Sequence, residues 1–364
     1  MSPPPPSNPS VADSAPAVSA GPALPRLVWL NLRTVALGAL GAGVAMAGSV
    51  PAALLIGPAL VVSFAGLAGL KAQISPAVMQ ICFVVLGMGV GSGFTAEAGG
   101  AILHWPLAFA ALAVALLVIM GLGQLVLSRL FGLDPLSALL ASTPGHLSFV
   151  MAAAADTGGD VARIAVVQSI RLLALTLSVP FVALALGYRM APTVLPMGTP
   201  MALTHLLALA AVGTLLGLVF RRLRLPAPIL LGPMMASMLG HVTGLTPGTL
   251  PGWLMLPAFM VMGTMIGTRF SGMRLAQLRN ALLAGLAITV IGVAVSALAA
   301  LPVALVLKMP AAHVLTGFAP GGLETMVALA AALGANPGFI AACHILRLLI
   351  LSVLIPLAVQ RARR

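Results

Sequence analysis

Two arginines, Arg171 and Arg347, lie near the middle of long apolar runs, and each is preceded by a run broken at a Pro-Gly pair, Pro144-Gly145 or Pro320-Gly321. A guanidinium at the centre of a membrane span costs about 2.5–3.5 kcal/mol on insertion scales, so each arginine needs a partner or a role. A Pro-Gly break at membrane depth frees backbone N–H and C=O groups, which survive only where protein buries them or a wet cavity receives them. The stretches after the breaks, His146 to Ala155 and Leu323 to Leu333, would be half-helices with free amides and partial positive charge at their N-termini, suited to an anion. Gln168 and His344 sit three residues before the arginines, on the same helical faces. The residue matched to Ser148 in the second break is Glu324. In the functional reading, Pro144, Gly145, His146, Ser148, Arg171, Pro320, Gly321, Gly322, Glu324 and Arg347 frame a site for an anionic substrate, while Glu324 or His344 takes up a coupling proton. The structural reading of the same residues is a pair of helix hinges with an Arg–Glu pair stitching two halves together.

The elements that must hold these residues are set by composition. Of 364 residues 60% are apolar and 7% charged, with a mean hydropathy of +1.14, against about 25% charged in a soluble domain. The lipid bilayer is therefore the solvent and the first partner. A net charge of +12 does not imply nucleic acid, because the basic residues stand singly or in threes between apolar runs instead of clustering on one face. Residues 1–24 are rich in Pro, Ser and Ala with Asp13 the one charge, which reads as a disordered tail. Cys82 and Cys343 lack spacing partners, and supply neither a disulfide framework nor a zinc site.

Twelve apolar segments of membrane length follow, six up to Gly187 and six from Leu203. At a shift of 176, Gly87 falls on Gly263, Gly91 on Gly267, Pro144 on Pro320, Arg171 on Arg347 and Pro180 on Pro356. Leu55 to Pro58 matches Leu230 to Pro233 at a shift of 175. The chain thus reads as an all-α polytopic membrane protein of two homologous halves, residues 25–190 and 200–364, joined by a linker at 191–199. If all twelve segments cross, Lys and Arg divide nine to seven between the two sides; if the fifth (Pro135 to Ala155) and eleventh (Ala311 to Leu333) enter and return, they divide fourteen to two. The positive-inside bias selects the second arrangement. Five crossings and one broken or re-entrant segment per half make the halves inverted repeats, with both termini in the cytoplasm of a multi-pass protein of the cell membrane. Twelve full spans with Pro-kinked helices is the rival. Trp105, Tyr188 and Trp253 are expected at the outer interface, and Asp156 and Asp160 in a cytoplasmic turn.

The six histidines are scattered without an i, i+4 pair or a neighbouring carboxylate, so no metal site is expected. No nucleophile elbow, Walker loop or dinucleotide fingerprint occurs, so neither an enzyme nor a cofactor is expected. The residues Pro144-Gly145-His146-Leu147 and Pro320-Gly321-Gly322-Leu323-Glu324-Thr325-Met326, each followed by an apolar helix carrying an arginine, resemble the AbrB family of duplicated membrane proteins. The resemblance covers nearly all of Leu32 to Gln360 and takes in Leu230 to Pro233 and Gly267-Thr268-Arg269-Phe270. Two provisional family labels come with it, an ammonia monooxygenase and a regulator of gene expression. The leading expectation is a secondary transporter of a small organic anion; the alternative is a membrane sensor or indirect regulator, with a monooxygenase third. Assembly into homo-oligomers stays open.

Overall fold

A computed structural model describes residues 24–93, 105–145, 147–185, 187, 199–223, 225 and 227–362. The expected tail, apart from Leu24, together with Tyr188, His146 and the side chain of Ser148, lies outside the described residues. Fourteen helices are described: α1 (Leu24–Ala47), α2 (Ala53–Leu67), α3 (Pro76–Gly91), α4 (Trp105–Phe131), α5 (Pro135–Ser142), α6 (Leu147–Thr157), α7 (Val161–Ala185), α8 (Leu203–Arg222), α9 (Pro228–Val242), α10 (Gly252–Thr268), α11 (Leu275–Leu307), α12 (Ala311–Phe318), α13 (Leu323–Ala332) and α14 (Pro337–Ala362). Six of them (α1, α4, α7, α8, α11 and α14) are long and apolar enough to cross a membrane. The protein is an all-α, multi-pass membrane protein.

The helices α1–α7 and α8–α14 run through the same order of lengths: one long, two of 15–17 residues, one long, two of 8–11, one long. The helices of 15–17 residues span only about 22–26 Å at 1.5 Å per residue, and they form the centre of the molecule. There α3 crosses α9, and α10 crosses α2, among the most extensive helix contacts present. Glycine makes these crossings close. A Cβ on Gly87 would sit 2.4 Å from the Leu230 carbonyl oxygen, and one on Gly263 would sit 2.3 Å from that of Leu55. Gly91 against Met234 and Gly267 against Ala59 continue the seam one helical turn on. Each contact recurs with the two halves exchanged, because the glycines match at the shift of 176 and their partners at 175. Small residues that admit a neighbouring backbone are how helices associate where lipid removes the hydrophobic drive.

Both broken segments break in the same way. A residue before proline is driven from the α region to extended backbone, and Thr143 (ψ 117°) and Ala319 (ψ 131°) obey, ending α5 and α12. The next amide turns back two residues in each: Gly145 N donates to Thr143 O at 3.0 Å and Gly321 N to Ala319 O at 2.8 Å. At 8 residues, α5 and α12 are about 12 Å long and cannot cross. The fifth segment returns to where it entered. Ser137 at the start of α5 accepts from Asp160 N, just beyond α6, at 2.9 Å, and Arg163 Nη2 donates to Phe131 O, just before α5, at 2.5 Å. The Ser271 hydroxyl accepts from Ala72 N at 2.8 Å, so the basic turns after α2 and α10 share one end of the molecule. Twelve full spans would place those turns at opposite ends. Asp134 caps α5, accepting from Ser137 N at 2.8 Å, and Asp160 accepts from Arg163 N at 3.0 Å as α7 begins.

Trp253 is exposed, as an interfacial tryptophan should be, but Trp105 is not. It is buried edge-on against Phe339 of α14 with ring centroids 5.5 Å apart. The expected belt therefore loses Trp105 to the interior.

Candidate functional site

The two membrane arginines are placed by the breaks they follow. Arg171 of α7 is 2% exposed; its Nη1 donates to Thr143 O at 3.1 Å and its Nη2 to Gln168 Oε1 at 2.7 Å. Gln168 donates through Nε2 to Leu140 O at 3.0 Å and to Thr143 O at 3.1 Å. In the second half Arg347 of α14, also 2% exposed, donates through Nη1 to Ala319 O at 2.8 Å and through Nη2 to Gly321 O at 2.5 Å. His344 stands where Gln168 does and meets Thr316 O through Nε2 at 3.2 Å. A carbonyl can only accept, so Nε2 carries the proton and Nδ1 is the basic nitrogen. Each arginine and its neighbour thus cap the C-terminal carbonyls of a half-helix, where about half a negative charge accumulates. This answers part of what a buried guanidinium demands. It does not answer all: Arg171 Nε, Arg347 Nε and His344 Nδ1 are buried without a hydrogen-bond partner among the described residues.

Beyond the two caps the half-helices restart, and their N-termini meet. A cavity of about 130 Å³ is lined by Gly145 and Leu147 at the start of α6 and by Gly321, Gly322, Leu323 and Glu324 at the start of α13. Arg347, Arg269, Leu172, Leu348 and Ala227 complete its wall. That exceeds the roughly 10–15 Å³ that admits one water, and it is small beside the roughly 300–1,000 Å³ of a drug-sized pocket. Gly322, the N-cap of α13, has no side chain to satisfy the first amides of that helix, so they remain for solvent or a ligand. Two positive helix ends from different halves therefore face one small polar space.

Five of the residues singled out from sequence line this cavity: Gly145, Gly321, Gly322, Glu324 and Arg347. Pro144 and Pro320 make the breaks, and Pro320 borders a second, smaller cleft of about 40 Å³ between Ser178 of α7, Ser296 of α11 and Leu315 of α12. Arg171 and His344 do not line the cavity; they stand behind it, on the ends of α5 and α12. Sequence reasoning missed Arg269, which it counted among the basic residues of a loop. Its one available signal is asymmetry: at the shift of 176 the counterpart of Arg269 is Gly93, as that of Glu324 is Ser148. Two charges peculiar to the second half thus come to one wall. Among the described residues neither side chain makes a hydrogen bond, and no group of three or more His, Cys, Asp or Glu side chains comes together.

Comparison with known proteins agrees with the architecture. Residues 54–363 match the family model described as "Transition state regulatory protein AbrB". The chain is 28% identical over 310 residues, 82% of its length and 86% of the relative's, to the Escherichia coli (strain K12) protein named "Putative regulator AbrB". It is 27% identical over 271 residues, 70% of each chain, to "Uncharacterized protein YhjN" of Bacillus subtilis (strain 168). With the family's pattern running from α2 to the end of α14, through both broken segments and their capping arginines, the chain belongs to the AbrB family.

Proposed function

We propose that this chain is a secondary transporter of a small organic anion, held between the two broken segments of an inverted-repeat core. The observation that carries the proposal is the convergence of two half-helix N-termini, one from each half, with Arg347 and Arg269 on a single cavity. Helix N-termini at a break are where such folds hold anionic groups. The fourteen-to-two division of Lys and Arg supports a multi-pass protein of the cell membrane with both termini in the cytoplasm. In this topology the cavity, which Arg269 lines, would open toward the cytoplasm and the cleft at Pro320 away from it. Glu324, in the wall and half-buried, takes up the coupling proton; His344 acts only through the cap it forms on α12.

A second reading, a sensor that binds the same anion without cycling and regulates gene expression indirectly, draws on the regulatory names of the family and of the E. coli relative. Proteoliposomes separate the two. Under an inward proton gradient, protein-bearing vesicles should accumulate at least one of a panel of labelled carboxylates above protein-free vesicles. Glu324→Gln should remove most of the gradient-driven part, about tenfold, and leave anion exchange. Binding of panel members without any flux would transfer the case to the sensor, and neither binding nor flux would remove both.

A further inference from the structure

We infer that the anion taken by this cavity carries two negative charges, an inference that rests on the anion-binding reading above. The argument is one of charge balance. Arg171 and Arg347 each sit on the carbonyl end of a half-helix, which offsets about half of each positive charge. The N-termini of α6 and α13, opening on the cavity, add about half a positive charge apiece. Arg269 and Glu324 share the wall and offset one another. What remains is roughly two positive charges with no compensating group among the described residues. One further observation points to a missing acceptor: the Nε of Arg347, a nearly fully buried side chain in the cavity wall, has no partner among the described residues.

In a low-dielectric surrounding an uncompensated charge is expensive, and a monoanion would leave about half the excess in place. A dianion cancels it. The cavity is too small for a nucleotide or a lipid headgroup with its glycerol, and the chemistry it fits is a short dicarboxylate or a doubly charged oxyanion. The two helix ends approach from different halves, which suits a ligand whose charges lie at opposite ends.

The test uses full-length protein in detergent, titrated at constant ionic strength with matched pairs: malonate against propionate, and sulfate against nitrate. Binding is read by thermal shift and confirmed by calorimetry. The dianion of at least one pair should bind about tenfold or more tighter than its partner, the effect of one further charge at short range in a partly screened site. Arg269→Gln should bring that preference down toward parity, and Glu324→Gln should strengthen dianion binding several-fold. Malonate ahead of sulfate assigns the organic source, and sulfate ahead of malonate the inorganic one; both carry the inference. Dianion and monoanion binding equally would overturn it while leaving the anion reading intact. No binding by any of the four would overturn both.

Discussion

Gly263→Leu is expected to leave little folded, monodisperse protein in detergent, a loss shared with the reciprocal glycine of the central crossing. The Cβ would lie 2.3 Å from the Leu55 carbonyl oxygen and 2.9 Å from the Leu55 Cα, both backbone atoms of α2 that cannot rotate aside. Either α10 or α2 must move, and the rest of the seam, with Gly267 against Ala59, moves with it. Overpacking a core typically costs about 1–3 kcal/mol when side chains can adjust; with backbone on both sides the cost belongs at the top of that range or above it. That is a large part of a total stability of about 5–15 kcal/mol. Gly87→Leu should do equal damage, since its Cβ would meet the Leu230 carbonyl oxygen at 2.4 Å in the reciprocal contact. Gly121→Leu, on the exposed side of α4 with nothing near its Cβ, should be nearly neutral. Size-exclusion profiles and unfolding midpoints read all three. Unequal effects at Gly263 and Gly87 would contradict the exchange of contacts between halves.

The second large effect separates the two arginines, which sequence treats as equivalents. Arg347→Met leaves the Gly321 carbonyl without its donor while Ala319 O keeps the Gly321 amide, and Arg171→Met leaves Gln168 Oε1 without its donor while Thr143 O keeps the bonds from Gln168 and Gly145. An unsatisfied buried acceptor costs about 1–3 kcal/mol, so each change should destabilise by about that amount, which unfolding midpoints read. Ligand response should divide the two. Arg347 is in the cavity wall and Arg171 is not, so anion-dependent stabilisation should disappear in Arg347→Met and persist, weakened, in Arg171→Met. Arg347→Lys keeps the charge and a point donor for one carbonyl, and should recover part of both. Equal loss of ligand response at the two positions would place the anion elsewhere.

Much of this was legible in the sequence because the signals are local or periodic. Pro-Gly pairs in apolar runs mark breaks through the restriction a proline imposes on the residue before it, and a lone arginine among leucines marks itself. The shift of 176 exposed the matched glycines, which turn out to be the seam between the halves. What the arginines bond to was not legible. Sequence spacing puts Arg171 and Gln168 on one helical face, but that they close the carbonyl end of α5 depends on how α7 lies against it. Arg269 was hidden for a related reason: it follows α10 in a basic turn, and its approach to Glu324 comes from packing between helices far apart in the chain. Trp105 was misplaced because aromatic position along a helix reports depth in the membrane and says nothing of which neighbour covers it.

The proposed transport requires the fifth segment to return to the side from which it entered, since five crossings per half would invert the second half and leave both termini in the cytoplasm. Single cysteines at Ala162 and Thr243, both exposed, in a chain whose buried Cys82 and Cys343 have been replaced by alanine, test this most directly in intact cells with a membrane-impermeant maleimide. Labelling at Thr243→Cys alone is the predicted result. Labelling at Ala162→Cys would mean that the fifth segment crosses the membrane, and it would contradict the inverted repeat on which the proposal of transport is built.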